Sequence, residues 1–210
     1  MTWSLEGRSL YLCTPLREDL VEFITACVSG GVDVVQLREK DRGDADVLLA
    51  ARELAAVCRD LGVPFVLNDR PDLAIAAGAD GVHVGQDDTS VATCRRLLGP
   101  DAIVGLSTHA TRELDVALAE PVSYLSAGPV VATPTKPGRA GTGEAYVAEA
   151  VRRASVPVFV TGGVTPAGVH GLAARGVRHF VVVRYLTEAR DPAAAARALA
   201  EAIREATTAA

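Results

Sequence analysis

The amino-acid sequence predicts an α/β protein, a single (β/α)8 TIM barrel of parallel strands that spans residues 1–210. Short apolar runs alternate with Ala- and Leu-rich amphipathic stretches, and this alternation repeats eight times along the chain. Runs such as 180–183 (Phe-Val-Val-Val) are apolar at every position, which is typical of parallel strands buried on both faces. Eight such units favour a closed barrel. A doubly wound open sheet is the alternative, because periodicity does not show closure.

The first four strand–helix units are each closed by glycine. Their predicted strands are 10–14, 32–37, 64–67 and 81–84. The helices that follow these strands are 17–29, 44–61, 71–77 and 90–98. Glycine follows the four helices at positions 30–31, 62, 78 and 99, and glycine is common just beyond the end of a helix.

The last four units follow the same order, with one longer connection. Their predicted strands are 102–106, 122–126, 157–160 and 179–183. The corresponding helices are 111–118, 144–154, 166–175 and 192–206. A long polar loop, 128–143, separates the sixth strand from its helix. The Ala-rich stretch from Ala193 favours a helix over a linker, because alanine has the highest helix propensity.

Composition excludes several classes of protein and partner. A hydrophobic content of 49% allows a substantial core and excludes a disordered chain. A net charge of −5 and an aromatic content of 4% argue against binding to nucleic acid. No apolar run reaches the length of about 18 residues that a membrane span requires. We therefore expect small-molecule partners, with neither nucleic acid nor membrane, and the apolar helix faces leave a homo-oligomer open.

The cysteines lack the spacing of a metal site, and the amino terminus lacks the pattern of a signal peptide. The four cysteines show no CxxC pair and are expected to be small buried hydrophobic residues. The segment 1–8 lacks the basic-then-apolar order of a signal peptide. A cytoplasmic location is the resulting expectation.

Polar residues interrupt the apolar pattern at the ends of strands two to eight. They are found at 36–40, 68–70, 83–88, 107–109, 128–136, 161–163 and 183–184. In a barrel, the carboxyl ends of all strands open onto one rim, where barrel active sites lie. The sequence therefore predicts one polar site at that rim.

The charged residues of this rim suggest two anion sites. Arg38, Lys40 and Lys136 supply cations that suit phosphate oxygens. Asp69, Asp87 and Asp88 supply the oxygen ligands that Mg2+ prefers when it also binds substrate phosphate. Gly162-Gly163 and Val183-Arg184 would offer backbone N–H groups to a second phosphate, as loops seven and eight of these barrels do.

Each of these motifs also has a structural interpretation. Residues 38–40 could be a solvated charge run, and 162–163 could be turn glycines. Asn68-Asp69 and Asp87-Asp88 could cap the helices that follow them.

The four histidines and Arg70 also have structural interpretations. His83 could be a hydrogen-bonded core residue, and His109 could be a base, a substrate contact or a helix-entry residue. We expect His170 and His179 to be structural, and Arg70 to pair with a neighbouring carboxylate.

The motifs together resemble the thiamine phosphate synthase family over nearly the whole chain, from Leu10 to about Pro192. The matching segments are QLREK at 36–40, NDR at 68–70, GVHVGQDD at 81–88, GLSTH at 105–109, GP at 128–129, TPTK at 133–136 and GG at 162–163. The combination and its order are specific, whereas no single segment is. The resemblance implies a (β/α)8 barrel that joins hydroxymethylpyrimidine diphosphate to thiazole phosphate and releases thiamine phosphate and diphosphate.

The resemblance also implies roles for residues at the matching positions. The pyrimidine diphosphate would be held by Gln36, Arg38, Lys40, Asn68 and Lys136. Mg2+ would be bound by Asp69 and Asp88, and the pyrimidine would contact Ser107 with His83 nearby. The thiazole phosphate would be bordered by Thr133 and Thr135 and by backbone at Gly163, Val183 and Arg184. Glu39 and Pro134, inside the same motifs, are counted with the substrate-binding residues, and Arg38, Lys40, Lys136 and Ser107 are the expected catalytic residues.

One position departs from the family pattern. Arg184 stands where the family commonly has a small residue such as Ser, and Tyr185 is also larger than expected. Arg184 could be tolerated, could add a cation, or could crowd the thiazole phosphate site.

Three other functions compete with the synthase. A thiazole tautomerase shares the barrel but lacks the full diphosphate and metal set, so Lys136 with Asp69 and Asp88 favours the synthase. A non-catalytic phosphate-ligand barrel would bind without turnover. An aldolase or epimerase is disfavoured, because an aldolase would normally place a Schiff-base lysine at a strand end, whereas Lys40 and Lys136 lie in loops.

Overall fold

The protein is a closed barrel of eight parallel strands surrounded by helices. The structure is a computed structural model that describes residues 3–133, 138 and 140–208. The strands are β1 (Leu10–Thr14), β2 (Val34–Leu37), β3 (Phe65–Asn68), β4 (Gly81–Val84), β5 (Ile103–Thr108), β6 (Tyr124–Ala127), β7 (Val158–Thr161) and β8 (His179–Val182). Each strand pairs in parallel with the next, and β8 pairs with β1.

Helices follow every strand, as the sequence predicts. They are α1 (Leu20–Ser29), α2 (Asp44–Asp60), α3 (Pro71–Ala77), α4 (Val91–Leu98), α5 (Thr111–Ala117), α6 (Gly143–Arg153), α7 (Pro166–Ala173), α8 (Arg184–Thr187) and α9 (Pro192–Thr208). No helix in the described ranges is long and apolar enough to cross a membrane.

Closure of the sheet decides between the two predicted folds. Leu10, Tyr11 and Leu12 of β1 pair in register with residues 180–182 of β8. The (β/α)8 barrel is therefore confirmed, and the open-sheet alternative is wrong. Closure also satisfies the backbone hydrogen bonds of the first and last strands, which an open sheet would leave unpaired at its two edges.

The core has two layers, because successive side chains of a strand point to opposite faces of the sheet. The larger layer lies between the sheet and the helices. The smaller layer fills the barrel interior and contains Leu5, Tyr11, Cys13, Val34, Val66, Ile103, Tyr124, Phe159 and Val181. All four cysteines are buried, as expected from the missing metal spacing. Because both faces of the sheet are covered by a core layer, strand residues are apolar at consecutive positions.

The two largest differences from the predicted helices are at the start of α1 and directly after β8. The chain from Arg17 to Asp19 is not helical, and there the Arg17 guanidinium pairs with Asp19 and lies 3.9 Å from the centroid of the Phe23 ring. α1 therefore begins at Leu20. The short helix α8, directly after β8, was not predicted, because four residues are too few to show a helical period.

Hydrogen bonds close the amino-terminal end of the barrel, opposite the rim. The Asp33 carboxylate accepts the backbone N–H groups of Ser9 at 2.6 Å and Leu10 at 3.0 Å. Nη1 of Arg8 donates to the backbone carbonyl of Asp33 at 2.6 Å, and Nδ1 of His179 lies 2.6 Å from the Arg8 carbonyl. His179 therefore has the structural position that the sequence predicts.

Candidate active site

The carboxyl-terminal rim of the barrel opens into a cavity of about 970 Å3. Its lining comes from the ends of the strands and from the loops that follow them. The predicted site residues that line it are Gln36, Arg38, Lys40, Asn68, Asp69, His83, Asp88, Ser107, Thr133, Gly163, Val183 and Arg184. These residues are separated by up to 148 positions in the chain, from 36 to 184, and closure of the barrel brings them to one site.

Three predicted site residues lie outside the described part of the chain. They are Pro134, Thr135 and Lys136. Their contacts with substrate stay predictions.

Glu39 is described but does not line the cavity. Its Oε1 accepts the backbone N–H groups of Lys40 and Asp41, both at 2.8 Å. Its Oε2 accepts the N–H of Leu16 at 3.2 Å. The carboxylate thus holds the loop after β2 to the loop after β1, and the expected contact of Glu39 with substrate stays a prediction.

An amide pair joins the ends of β2 and β3 at one wall of the cavity. Nε2 of Gln36 donates to Oδ1 of Asn68 at 3.0 Å, and Gln36 is 5% exposed. This bond sets the orientation of both amides, because each side chain has one oxygen and one nitrogen end. The pair therefore presents fixed polar groups next to Arg38 and Lys40 of the same wall.

Two carboxylates and an ammonium group meet beside this pair. Nζ of Lys40 lies 3.1 Å from Oδ2 of Asp69. Burial and a hydrogen bond with the Asp88 carboxyl raise the pKa of Asp69, and Lys40 opposes that rise. Oδ2 of Asp88 accepts the backbone N–H of Gly85 at 2.7 Å. Two carboxylates this close repel each other when both are ionised, so the pair is stabilised by a cation.

The carboxylate pair suits a hard divalent cation that takes its other ligands from a bound substrate. Nowhere in 3–133, 138 and 140–208 do three or more His, Cys, Asp or Glu residues form a group that could hold a metal ion. Asp69 and Asp88 would therefore supply two carboxylates, and the other ligands of a cation would come from substrate and water. Mg2+ is usually bound in this way, by one or two carboxylates plus substrate phosphates and water.

Helix capping does not explain these aspartates. The N-cap of α3 is Arg70, which makes no side-chain capping bond. The N-cap of α4 is Ser90, whose Oγ accepts the N–H of Thr93 at 3.3 Å. The capping interpretation of Asp69 and Asp88 is therefore wrong.

Arg70 turns away from the cavity, as predicted. Its guanidinium donates to both carboxylate oxygens of Asp44, at 2.6 and 2.9 Å, and to Asp72. Arg70 thus joins the start of α2 to the start of α3 and is not among the described residues that line the cavity.

The opposite wall consists of the loops after β7 and β8. Gly162 and Gly163 have φ values of 96° and 79°, a region that favours glycine. A Cβ atom on Gly162 would lie 2.6 Å from the backbone nitrogen of Val130. The glycines are therefore required by the turn, and they also bring backbone close to the cavity. The short helix α8 begins at Arg184, in the place where barrels of this type bind phosphate.

The guanidinium of Arg184 lies along its own helix. Its Nε is 3.8 Å from Oε1 of Glu188, and both side chains are half exposed or more. Arg184 and Glu188 both line the cavity. The unusual arginine at position 184 therefore places a charged pair, Arg184 with Glu188, at this wall of the cavity.

A chain of hydrogen bonds forms the floor of the cavity. Nε2 of His83 lies 2.8 Å from Oγ of Ser107, and Nδ1 of His83 lies 2.8 Å from the Tyr124 hydroxyl. The Tyr124 hydroxyl lies 2.8 Å from the Tyr11 hydroxyl. His83 is thus both a buried hydrogen-bonded residue and part of the cavity wall. The sequence reasoning missed both tyrosines, although polar rings at inward-facing strand positions were a usable signal.

His109 is a helix-entry residue that also faces the cavity. Oε2 of Glu113 lies 2.9 Å from Nδ1 of His109 and accepts its backbone N–H at 2.8 Å. Glu113, which was not predicted, also lines the cavity. The carboxylate orients the imidazole at the start of α5.

These features define an enzyme of the (β/α)8-barrel class, with its active site at the carboxyl ends of the strands. Residues 10–186 match the family described as thiamine monophosphate synthase. The chain belongs to the thiamine monophosphate synthase family, and its class is that of a transferase.

Individual relatives agree with the family match. A thiamine-phosphate synthase of Mycobacterium sp. (strain JLS) is 44% identical over 213 residues, which cover 95% of this chain and 94% of the relative. A thiamine-phosphate synthase of Thermosynechococcus vestitus is 41% identical over 195 residues, which cover 93% of this chain. The chain spans 56% of the length of that second relative.

Solved structures agree on the fold. A thiamine phosphate pyrophosphorylase from Pyrococcus furiosus superposes with a TM-score of 0.85 at 25% identity and covers 95% of this chain and 96% of that one. A 3-hexulose-6-phosphate synthase from Salmonella typhimurium has a TM-score of 0.69 at 18% identity, over 93% of this chain and 99% of that one. The second likeness concerns the barrel alone.

Proposed function

We propose that the protein joins hydroxymethylpyrimidine diphosphate to hydroxyethylthiazole phosphate in a Mg2+-dependent dissociative substitution, giving thiamine phosphate and diphosphate. The observation that carries the proposal is the group formed by Lys40, Asp69 and Asp88, with 3.1 Å between the Lys40 ammonium and the Asp69 carboxylate. A cation beside paired carboxylates suits a metal-bound diphosphate, because phosphate oxygens need positive charge and Mg2+ needs oxygen ligands.

The reaction breaks one bond and forms one. The bond between the pyrimidine methylene carbon and the diphosphate oxygen breaks, and its electron pair leaves with diphosphate. The aminopyrimidine ring stabilises the positive charge on that carbon. The thiazole nitrogen then forms the new C–N bond with its lone pair, so no protein nucleophile is needed.

The residues of the β2 and β3 loops would stabilise the leaving group. Arg38 and Lys40, with Lys136, would neutralise the negative charge that develops on the departing oxygen. Gln36 and Asn68 would bind the pyrimidine diphosphate through their fixed amides. Asp69 and Asp88 would hold Mg2+, which when bound supplies additional positive charge to the diphosphate.

The remaining residues would orient the two reacting atoms. Ser107 and His83 would hold the pyrimidine at the cavity floor, where both are buried. Backbone groups at Gly163, Val183 and Arg184 would hold the thiazole phosphate, bordered by Thr133, Pro134 and Thr135. Holding both substrates supplies a large part of the rate, because it replaces an encounter in solution by a reaction between positioned atoms.

Product analysis tests the proposal directly. The purified protein is incubated with both substrates, with Mg2+ or with a chelator, and thiamine phosphate and diphosphate are quantified. We expect equal amounts of both products with Mg2+ and a large loss of turnover with the chelator. Isomerisation of a thiazole substrate without diphosphate release would favour the tautomerase and contradict the proposal. Binding of both substrates without turnover would favour a non-catalytic barrel.

A further inference from the structure

The hydrogen-bonded chain at the cavity floor is more deeply buried at one end than at the other, although all four of its members line the cavity. It runs from Tyr11 through Tyr124 and His83 to Ser107, with 2.8 Å between each pair of polar atoms. Both tyrosines are 1% exposed, and His83 and Ser107 are 8% and 6% exposed. Water therefore has little access to reorganise these bonds.

The buried end determines the direction of the chain. In the part of the chain that the structure describes, the hydrogen-bond partner of the Tyr11 hydroxyl is the Tyr124 hydroxyl. If Tyr124 donated to Tyr11, the hydroxyl proton of Tyr11, which is 1% exposed, would have no acceptor among the described residues, and leaving a buried donor unpaired is costly. Tyr11 therefore donates to Tyr124.

This direction fixes the proton on His83. The Tyr124 oxygen accepts from Tyr11, so the Tyr124 O–H donates to Nδ1 of His83. A neutral imidazole has one acceptor nitrogen and one N–H, so Nε2 carries the proton. That N–H donates to Oγ of Ser107, and the hydroxyl proton of Ser107 is left to be donated to a ligand in the cavity.

Packing keeps the tyrosines in place. The Tyr124 ring lies over Gly105, where a Cβ atom would be 2.1 Å from Cζ of the ring. The Phe159 ring packs edge-on against both tyrosines, with centroid distances of 5.2 Å to Tyr11 and 5.3 Å to Tyr124. These ring contacts pack both phenols against their neighbours in the barrel interior.

We propose that Tyr11 and Tyr124 are positioning residues that hold His83 as its Nε2–H tautomer and so make Ser107 a hydrogen-bond donor to an acceptor atom of the pyrimidine substrate. The assignment of the pyrimidine to this end of the cavity rests on the proposed function. The direction of the chain does not, because it is argued from the contacts and burial of the four side chains. A substrate with a donor in place of that acceptor would be rejected, since the site is built to complete one hydrogen bond.

Nitrogen NMR of protein labelled with 15N-histidine tests the direction of the chain. We expect Nε2 of His83 to give a protonated-nitrogen signal and Nδ1 to give an unprotonated one, assigned by their loss in His83→Gln. Tyr11→Phe should mix the two tautomers, because Tyr124 is then no longer forced to donate to Nδ1. A proton on Nδ1 in the unaltered protein would overturn the proposal. This measurement needs no turnover, so it stands even if the proposed reaction is not observed.

Steady-state kinetics test the consequence for substrate binding. Tyr11→Phe should raise KM for the pyrimidine diphosphate about tenfold, the size expected for one neutral hydrogen bond, and should leave KM for the thiazole phosphate unchanged. Tyr146→Phe is the matched control, because Tyr146 is a buried tyrosine on α6 outside the chain, and its KM values should not change. Unaltered kinetics and an unaltered tautomer in Tyr11→Phe would overturn the proposal. If Tyr11→Phe does not fold, Tyr124→Phe and the tautomer of the unaltered protein decide.

Discussion

Asp69 has a backbone conformation that few residues other than glycine adopt. Its φ is 63°, and its N–H donates to the carbonyl of His83 at 2.8 Å, which holds the start of the loop against β4. Aspartate and asparagine tolerate this left-handed region better than most residues do. The carboxylate is thereby held next to Lys40 and Asp88 at the cavity wall.

Asp69→Asn is the variant best suited to test the metal-ligand assignment. Asparagine keeps the shape and tolerates the backbone conformation but removes the negative charge. We expect kcat/KM with Mg2+ to fall about a hundredfold, the scale seen when one electrostatic contribution to catalysis is lost. The measurement is initial rate against Mg2+ concentration. Asp72→Asn is the matched control, since Asp72 is exposed and pairs with Arg70; equal rates in the two variants would rule out the assignment.

Asp33 makes the stability of the barrel depend on pH. Burial raises the pKa of Asp33 to about 6, although the N–H groups of Ser9 and Leu10 oppose that rise. The folded pKa lies above the ordinary value of 3.8, so the folded protein binds the proton more tightly between these values. The contribution of Asp33 to the free energy of unfolding is therefore present below about pH 4 and is lost as pH rises through about 6.

Urea unfolding of the protein and of Asp33→Asn across this range measures the effect. The free energy of unfolding of the protein, minus that of the variant, should decrease by about 2 kcal/mol between about pH 4 and about pH 7. The asparagine variant removes the titration and keeps one oxygen acceptor. A difference that stays constant with pH would contradict the prediction.

At the scale of the elements, the last helix packs against the first through a glycine. A Cβ atom on Gly30, at the end of α1, would lie 2.4 Å from the carbonyl oxygen of Ala193 and 2.6 Å from Cβ of Ala196. Gly30 has a φ of −86°, so its backbone conformation does not require glycine. Its small size is therefore what allows α9 to approach α1.

Gly30→Ala should push α9 away from α1 and lower the free energy of unfolding by about 2 kcal/mol. Gly171→Ala is a control with the opposite sign, because Gly171 lies inside α7 and a Cβ atom added there would meet nothing within 4 Å. It should raise stability by about 0.5 to 1 kcal/mol through helix propensity. Urea unfolding measures both, and a Gly30→Ala protein as stable as the parent would refute the packing argument.

The elements were largely predictable, and their ends were less so. The alternation of apolar runs predicted all eight strands, because buried parallel strands leave a local signature. The start of α1 and the existence of α8 were not predictable, because three residues at a helix end or a helix of four residues are too few to show a helical period.

At the scale of the whole molecule, closure ties β1 to β8 and makes the barrel one unit. The prediction of a single domain over 1–210 is open to a simple test, because the protein has one tryptophan. Trp3 lies at the amino-terminal end, with the Arg8 guanidinium 5.0 Å from its ring.

Trp3 fluorescence and far-ultraviolet circular dichroism should show one unfolding transition in urea with the same midpoint. Fluorescence reports the end of the barrel, and circular dichroism reports all strands and helices. Coincident midpoints are expected of a cooperative unit. Separate midpoints would show that part of the barrel unfolds on its own.

The sequence by itself determined the order of strands and helices and which polar residues follow each strand, because both depend on neighbours in the chain. It also showed the motifs through which the family is identified. The tertiary structure alone decided that the sheet closes, that Asp69 meets Asp88, that Glu39 accepts the backbone N–H of Leu16, and that two tyrosines join His83. Such contacts join residues far apart in sequence, and strand register and barrel closure determine them; local pattern does not.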